Sequence, residues 1–274
     1  EIYLKVGDKT IPLSGKWKYK ISASNSDFDF VEYGPNAYPS LLYNAMVNPL
    51  VGLSMQGVIW YQGENNTNRA KGYYHLFPAM INDWRKKWGK DFPFCWVQLA
   101  NYMDAVEVPS ESLWAQVREA QTQTLSLPHT GQAVIIDIGE AKDIHPKNKQ
   151  EVGRRLALHA LHNDYGFSDV VCESPMPKTV RRVQDKIVVQ FDNVADGLIV
   201  KNKYGYLMSF AVAGTDGVYK WVQAKVAGKD RVVLSCPDVI DPVSVRYAWG
   251  DNPDDANLYN SVGLPATPFE IKIE

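Results

Sequence analysis

The sequence predicts an α/β fold, in which a parallel sheet carries helices on both faces and is followed by a C-terminal antiparallel β domain. Two observations support this prediction. Between residue 57 and about residue 163, short apolar runs alternate with amphipathic helical segments, which is the pattern of βαβ units. Beyond Gly166 the helical period disappears, and short β-rich runs follow one another between turn residues.

Three apolar runs are predicted as the strands of the parallel sheet: GVIWY (57–61), PFCWVQLA (93–100) and AVIIDIG (133–139). The first is unbroken, as expected for a strand that is buried on both faces. Because each run is followed by a helical segment, right-handed crossovers would cover the sheet on both sides.

Three helices are predicted between and after these strands. The first has an apolar stripe at helical spacing, formed by Tyr73, Leu76, Phe77, Met80, Ile81 and Trp84. The second has one face formed by Leu113, Val117, Ala120 and Thr124, and the third extends from Pro146 to about Asn163. The helices therefore alternate with the strands along the chain.

The remaining segments predict β structure at both ends. Residues 1–20 alternate polar and apolar around two turns and indicate two short strands, 21–38 form a loop, and Pro39-Ser40 opens a short helix that ends near Pro49. Beyond Gly166, an antiparallel sheet or sandwich is indicated by KIVVQF, GLIV, VYKWVQAKV, RVVLSC, VSVRYAW and FEIKIE. We expect three parts, at 1–38, 39–168 and 169–274.

Composition excludes several classes of protein. The 274 residues are 45% hydrophobic and 22% charged with a formal net charge of −2, so neither a nucleic-acid partner nor an acidic tail is expected. No stretch reaches the roughly 18 apolar residues of a membrane span. The 8 Trp and 15 Tyr are many for a core of this size, and such rings often line sugar sites, although most of them are expected to pack in the core.

Three cysteines do not suggest a metal site, because none has CxxC or Cys/His spacing. Cys95 is expected to be a buried thiol, and a bridge between Cys172 and Cys236 stays open. The chain has no signal peptide and begins at Glu1 without Met, so we expect a processed, trimmed or cloned piece.

Polar residues follow all three predicted strands. Because ligands of open parallel sheets bind beyond the carboxyl ends of the strands, these residues are the candidates for a site. They are Gln62, Gly63, Glu64 and Asn65 after the first strand, Gln98 and Asn101 at the second, and Glu140, Asp143 and His145 after the third.

His145 is the candidate general base. It precedes Pro146, which suits the first position of a helix, and Asp143 lies two residues earlier in the same loop. A carboxylate at that distance can hold one imidazole nitrogen and leave the other facing the cleft. The alternative is that His145 caps the helix and Asp143 is a turn residue.

Gln62 offers a side-chain amide where an oxyanion could develop, and Gly63 permits close approach of the backbone. Glu64 is either catalytic or structural. Asn65 begins a glycosylation sequon, Asn65-Asn66-Thr67, whose position beside the cleft favours a chance match.

Several blocks of sequence resemble the sialate O-acetylesterases, which are carbohydrate acetylesterases of the SGNH hydrolase superfamily. The resemblance spans roughly residues 39–274, and LSGKWKYK resembles the family's β insertion, of which 1–38 would be a remnant. The blocks are GVIWYQGENN, FPFCWVQLANY, WAQVREAQ, VIIDIGEAKDIHPKNKQEVGRRLALHAL and VRYAWGDNP…LYNSVGLPATPF.

The resemblance implies an SGNH (flavodoxin-like) sheet and hydrolysis of acetyl esters of sialic acid or sialoglycans through a serine, without metal or organic cofactor. His145 would be the base and then the acid, Asp143 its orienting carboxylate, and Gln62 an oxyanion-hole donor. The superfamily's common Asp-x-x-His spacing is Asp-x-His here, with Lys142 at the expected position, so Glu140 stays a rival for Asp143. Substrate-binding or supporting roles are expected for Gly63, Glu64, Asn65, Gln98, Asn101 and Glu140.

The family's nucleophile block, G-Q-S-N, has no match in the chain. The resemblance therefore implies that the sheet is incomplete at its N-terminus, that an N-terminal segment or subunit supplies the serine, and that the chain alone is inactive. It also implies a secreted, periplasmic or lysosomal protein. Three rival functions stay open: an acetylesterase acting on xylan or another glycan, a glycosidase with two carboxylates about 5–9 Å apart, and a non-catalytic carbohydrate-binding fragment.

Overall fold

The two short strands predicted near the start of the chain are present, and they pair as an antiparallel hairpin. A computed structural model describes residues 3–18, 20, 34 and 38–274 and divides the chain into two units, 1–53 and 54–274. In the first unit, β1 (Tyr3–Val6) pairs with β2 (Lys9–Pro12) around a turn in which Gly7 has φ +58°. The predicted loop at 21–38 lies outside the described residues except at Gly34 and Tyr38.

The short helix predicted after Ser40 is present, but its geometry is irregular. A π-helical segment at Tyr43–Val47 is followed directly by a 3₁₀ turn at Asn48–Leu50. Pro49 lies in the first turn of that 3₁₀ segment, where its missing N–H costs nothing.

The second unit contains a parallel sheet of three strands, β3 (Val58–Trp60), β4 (Phe94–Val97) and β5 (Thr130–Ala133), in the order β3-β4-β5. All four residues of the central strand β4 are buried. The first strand is less buried than predicted, because β3 has only one neighbouring strand among the described residues and Ile59 is 74% exposed.

The third strand was predicted too late in the sequence. β5 ends at Ala133, and the apolar residues after it leave the sheet. Val134 and Ile136 pack into the core of the C-terminal β region, whereas Ile135 packs against the parallel sheet. The run 133–139 is apolar because it is buried between two cores, so its composition does not mark a strand.

Helices cover both faces of the sheet, as predicted. They are α1 (Ala70–Trp88), α2 (Leu113–Gln123) and α3 (Lys149–Asn163). Phe94 and Trp96 of β4 pack with α1 and α2, and the alternate residues Cys95 and Val97 pack with α3 on the opposite face.

The helix faces and boundaries correct the predictions at three points. Leu76 of α1 and Leu113 of α2 are 63% and 53% exposed, although both were predicted on apolar faces. The third helix begins at Lys149 instead of Pro146, because the side chain of Asn148 caps it by accepting a hydrogen bond from the backbone N–H of Glu151 at 3.1 Å. His145 and Pro146 therefore lie in the loop before α3.

The C-terminal region is antiparallel, as predicted. Its strands are β6 (Met176–Val183), β7 (Lys186–Asp192), β8 (Leu198–Val200), β9 (Phe210–Gly214), β10 (Tyr219–Trp221), β11 (Gln223–Ala227), β12 (Arg231–Ser235), β13 (Pro242–Tyr247), β14 (Leu258–Asn260) and β15 (Phe269–Lys272). One four-stranded sheet has the order β11-β12-β7-β6, a second has the order β10-β9-β13-β15, and β14 pairs with β8. The inner faces of the two four-stranded sheets share one core that includes Val189, Leu234, Val212 and Val245, which is the arrangement of a sandwich.

A buried arginine joins the parallel sheet to the C-terminal β region. The guanidinium of Arg118, on α2, donates to the backbone carbonyls of Leu99 (2.8 Å) and Ala100 (2.7 Å) after β4. It also donates to those of Gly250 (2.6 Å) and Asp251 (2.9 Å), beyond β13. One side chain thus donates to four backbone carbonyls; those of Ala100 and Asp251 also accept from Trp114 Nε1 and from the N–H of Tyr102.

All three cysteines are buried free thiols, so Cys172 and Cys236 are not bridged. Burial raises the pKa of Cys95 to about 12, in agreement with its prediction as a buried thiol. Among the helices that the structure describes, none is both long and apolar enough to cross a membrane.

Candidate active site

A cavity of about 330 Å³ lies at the carboxyl ends of the parallel strands. Its walls come from two loops, one after β3 and one between β5 and α3, so the two loops meet as their positions in a parallel sheet predict. The lining residues are Tyr61, Glu64, Ile144, His145, Pro146 and Lys149.

His145 is held beside Asp143 by its own backbone. The N–H of His145 donates to Oδ1 of Asp143 at 2.9 Å, and Nδ1 of the imidazole lies 3.6 Å from the same oxygen. The second distance is too long for a hydrogen bond but suits an ion pair once the ring is protonated. The His145 side chain is 86% exposed, so its ring is open to a reactant.

The carboxylate of Asp143 has a lowered pKa. The backbone hydrogen bond from His145 is the largest cause, and the positive charge of Lys147 contributes further. Asp143 therefore stays ionised at lower pH than an ordinary aspartate, and it keeps a negative charge beside the imidazole.

Glu140, the rival carboxylate, has a different partner. Its Oε2 atom accepts a hydrogen bond from Nζ of Lys147 at 2.8 Å, while its backbone carbonyl accepts from the N–H of Asp143 at 3.2 Å. The Glu140 side chain thus fixes the loop through Lys147, and its backbone supports the turn that carries Asp143.

Gln62 lies between two lining residues in sequence but does not itself line the cavity. Its Nε2 atom donates to Oδ1 of Asn66 at 2.7 Å, and its Oε1 atom accepts from the hydroxyl of Tyr73 at 3.2 Å. These two bonds fix which way the amide points. They use one N–H of Nε2 and leave the other without a partner in the described part of the chain.

Gly63 occupies a tight position directly after Gln62. Its φ is +156°, and a Cβ atom there would come within 3.1 Å of Leu99 and 3.2 Å of Gln121. A larger residue would push the loop away from α2, so glycine is required for this backbone path.

The two candidates after β4 do not reach the cavity. Gln98 is fully buried and donates from Nε2 to the hydroxyl of Thr122 at 2.9 Å. Asn101 accepts from the backbone N–H of Gly139 at 2.7 Å and donates to Asn252 at 2.9 Å. Asn101 thereby ties the loop after β4 to the chain beyond β5 and to the C-terminal β region.

Asn65 is exposed on the 3₁₀ turn Glu64–Arg69 and does not line the cavity. Within the part of the chain that the structure describes, no group of three His, Cys, Asp or Glu side chains is arranged to hold a metal ion.

Two polar lining residues, Tyr61 and Lys149, were not among the candidates predicted from the sequence. Nζ of Lys149 lies 4.6 Å from the centroid of the Tyr61 ring. The hydroxyl of Tyr61 is buried without a hydrogen-bond partner in the described residues, and burial, followed by the charge of Glu64, raises its pKa to about 12. The sequence feature that could have indicated Lys149 as a lining residue is its position four residues after His145, at the start of a helix.

Comparison with known proteins identifies the family to which the chain belongs. The profile of the family described as carbohydrate esterase, sialic acid-specific acetylesterase matches residues 26–162. The chain belongs to this family of carbohydrate esterases.

Similar proteins include both animal and bacterial members. The chain is 31% identical over 264 residues to a sialate O-acetylesterase of Homo sapiens, covering 86% of this chain and 49% of that protein. It is 31% identical over 278 residues to the sialate O-acetylesterase of Rattus norvegicus, covering 89% and 50%. The crystal structure of a carbohydrate acetylesterase from Xanthomonas citri is similar with a TM-score of 0.81 and 45% identity, covering 86% of this chain and 55% of that one. The chain thus spans about half the length of these relatives.

Proposed function

We propose that the protein hydrolyses O-acetyl esters of sialic acid by a Ser-His-Asp mechanism, with His145 as the base. The observation that carries the proposal is the exposed His145 ring in the cavity, with the Asp143 carboxylate 3.6 Å from its Nδ1 atom. In that geometry Nδ1 faces the carboxylate, which leaves Nε2 to accept the proton of a nucleophile.

The reaction follows from these positions. A serine hydroxyl gives its proton to Nε2 of His145 while its oxygen attacks the acetyl carbonyl. When the tetrahedral intermediate collapses, the sugar oxygen leaves and receives that proton from Nε2 of His145. Water then hydrolyses the acetyl-serine by the same two proton transfers and releases acetate. Gln62 does not line the cavity formed by this chain alone, so it is proposed as a donor to the oxyanion in the completed protein, through the N–H of Nε2 that has no partner in the described part of the chain.

We propose that the serine comes from a segment or subunit outside the 274-residue chain. No serine is among the described residues that line the cavity, and the unpaired edge of β3 with its exposed Ile59 suits a further strand. The relatives are about twice as long as the chain. On this proposal, residues 39–168 are part of an SGNH-type domain that a separate segment or subunit completes, and 169–274 are its β domain.

Lys149 supports sialic acid as the substrate. Sialic acids carry a carboxylate, and the ammonium group of Lys149 is a cation on the wall of the same cavity as His145. A neutral acetylated glycan such as xylan is the second candidate, since the 45% identical relative from Xanthomonas citri is a carbohydrate acetylesterase. We place the activity in secreted, periplasmic or lysosomal glycan breakdown.

The test compares the 274-residue chain with the same chain extended by its upstream coding sequence. We expect acetate release from O-acetylated sialic acid only from the extended protein, and its loss in His145→Ala. The matched control is His75→Ala, because His75 is also exposed but lies on α1, outside the cavity. Full activity of the short chain would contradict an external serine, and full activity of His145→Ala would contradict the assigned base. Release of reducing sugar instead of acetate would indicate a glycosidase.

A further inference from the structure

A second and larger cavity, of about 800 Å³, lies on the C-terminal β domain. It shares no lining residue with the candidate active site. Its polar and exposed lining includes Lys186, Tyr206, Met208, Gln223, Lys225 and Ser235. We call this cavity the β-domain groove.

The floor of the β-domain groove is the outer face of the sheet that contains β7, β11 and β12. Gln223 of β11, Ser235 of β12 and Lys186 of β7 stand side by side in register across this face. Nζ of Lys186 donates to the hydroxyl of Ser235 at 2.9 Å. Two residues along β11, on the same face, Lys225 stands beside Val233. The floor thus presents a row of hydrogen-bonding side chains next to the apolar side chain of Val233.

The wall of the β-domain groove includes Tyr206, whose exposed ring stacks on that of Tyr204 in the same loop. Tyr204 and Tyr206 are 65% and 58% exposed, and their rings are nearly parallel, with centroids 5.8 Å apart and planes at 12°. Exposed aromatic faces are suited to stacking against the C–H face of a sugar ring, while their hydroxyls bond its oxygens.

The loop that carries the tyrosines is fixed by hydrogen bonds. Oδ1 of Asn202 accepts from the backbone N–H groups of Tyr204 (2.9 Å) and Gly205 (2.7 Å), and its Nδ2 donates to the carbonyl of Tyr206 (2.6 Å). Nδ2 of Asn257 donates to that same carbonyl at 3.1 Å. The rings are held outward by a fixed backbone and do not pack in the core, so the loop is organised before any ligand arrives.

The charge of the β-domain groove is positive. Among its described lining residues are two lysines and no carboxylate. Lys186 is partly compensated by Asp185, whose carboxylate lies 3.2 Å away, whereas Lys225 has no ion-pair partner in the described ranges. A ligand that places a carboxylate near Lys225 would gain a charge-assisted contact at little desolvation cost, because the ammonium is exposed.

We propose that the β-domain groove binds an acidic oligosaccharide non-catalytically, with a sugar ring against Tyr206 and the carboxylate of a sialic acid unit near Lys225. This adds a glycan-binding site to the protein and does not depend on the esterase mechanism. Its physical consequence would be to hold a long acidic glycan on the protein while another part of that glycan is processed.

The test is a titration of the 274-residue chain with sialyllactose and with lactose, followed by amide NMR. We expect sialyllactose to shift the amides of residues 204–208 and 223–227 and to bind roughly tenfold more tightly than lactose, as one charge-assisted hydrogen bond allows. Lys225→Glu should remove this preference, and Tyr206→Ala should weaken both sugars by about three- to tenfold.

The matched controls are Lys272→Glu, at an exposed lysine of β15, and Tyr165→Ala, at a tyrosine that is 62% exposed. Both should bind as the unaltered chain does. The proposal is overturned if the shifts are confined to residues 61–64 and 143–149, if lactose binds equally well, or if Lys225→Glu leaves the preference intact. Lys225 is exposed and makes no described contact that the fold requires, so this variant decides the question even if Tyr206→Ala fails to fold.

Discussion

Oδ1 of Asp143 accepts a hydrogen bond from the backbone N–H of His145 at 2.9 Å, and it lies 3.6 Å from Nδ1 of the His145 ring. The backbone bond holds the carboxylate in position whether or not the ring is charged. A proton taken up at Nε2 therefore places the positive ring beside a negative charge that is already oriented. Such preorganisation lowers the cost of forming the ion pair during a reaction.

Asp143→Asn should lower kcat/KM for acetyl release by about 10²- to 10⁴-fold, because a neutral amide does not stabilise the protonated ring and can hold it in the wrong tautomer. The measurement is steady-state acetate release by the protein completed with its proposed serine. Glu140→Gln breaks the ion pair with Lys147 and should cost less, within about tenfold. A larger loss in Glu140→Gln than in Asp143→Asn would make Glu140 the orienting carboxylate.

The order of strands and helices could be predicted because each element shows its own periodicity. The alternation of Phe94 and Trp96 with Cys95 and Val97 places helices on both faces of one strand. Strand ends were less predictable: Val134 and Ile136 are apolar because a second core contacts them, and that core is built from residues distant in sequence. An apolar run indicates that a segment is buried, but it does not indicate whether the segment is a strand or which core covers it.

The site was predictable where it depends on neighbours in sequence, as for Asp143 and His145. It was not predictable where long-range packing decides which side of a loop faces the cavity. Gln98 was expected at the cleft but lies under α2, and Lys149 reaches the cavity only because Asn148 starts α3 directly before it. Tyr61 was interpreted as the end of a strand, although it lines the cavity.

Gly63→Ala should destabilise the protein by about 1–3 kcal/mol, because a φ of +156° strains an L-residue and the new methyl group would contact Leu99 and Gln121. The measurement is urea unfolding. Gly72→Ala is the matched control, since Gly72 lies inside α1 and its Cβ would meet only Leu76, at 3.9 Å. It should stabilise the protein by about 0.5–1 kcal/mol. Equal effects of the two variants would show that the loop does not require glycine.

Glu151→Gln should lower stability at neutral pH and lose this effect in acid. Hydrogen bonds from Arg154, and then from Arg155, lower the pKa of Glu151 to about 2. Because its pKa in the folded protein is lowered, the carboxylate stabilises the fold above its ordinary pKa, and this contribution disappears as pH falls through the folded value. We expect a loss of about 1–3 kcal/mol at pH 7 that shrinks between about pH 5 and pH 2.

Urea unfolding of both proteins at several pH values measures this difference. Glu107→Gln is the matched control, because the Glu107 side chain makes no ion pair within the residues that the structure describes. A difference for Glu151→Gln that stays constant down to pH 2 would mean that the ion pairs with the two arginines do not set its pKa.

Lys149→Met should change which esters are preferred by the protein completed with its proposed serine. The ammonium of Lys149 lies 4.6 Å from the Tyr61 ring centroid and lines the cavity together with His145, so a substrate carboxylate could reach it without displacing the base. Removing one charge-assisted contact should raise KM for O-acetylated sialic acid roughly tenfold. Turnover of p-nitrophenyl acetate, which has no carboxylate, should change little. Lys142→Met, at an exposed lysine outside the cavity, is the control.

The outcome of Lys149→Met distinguishes the two substrate classes proposed for the enzyme. If activity on both esters falls together, Lys149 supports the loop instead of recognising the substrate. If neither changes, while acetylated xylan is hydrolysed faster than the sialic acid ester, the neutral glycan is the better assignment. A selective rise in KM for the sialic acid ester would instead tie specificity to one cation, because that ammonium is the only positively charged side chain among the described residues lining the cavity, apart from a protonated His145.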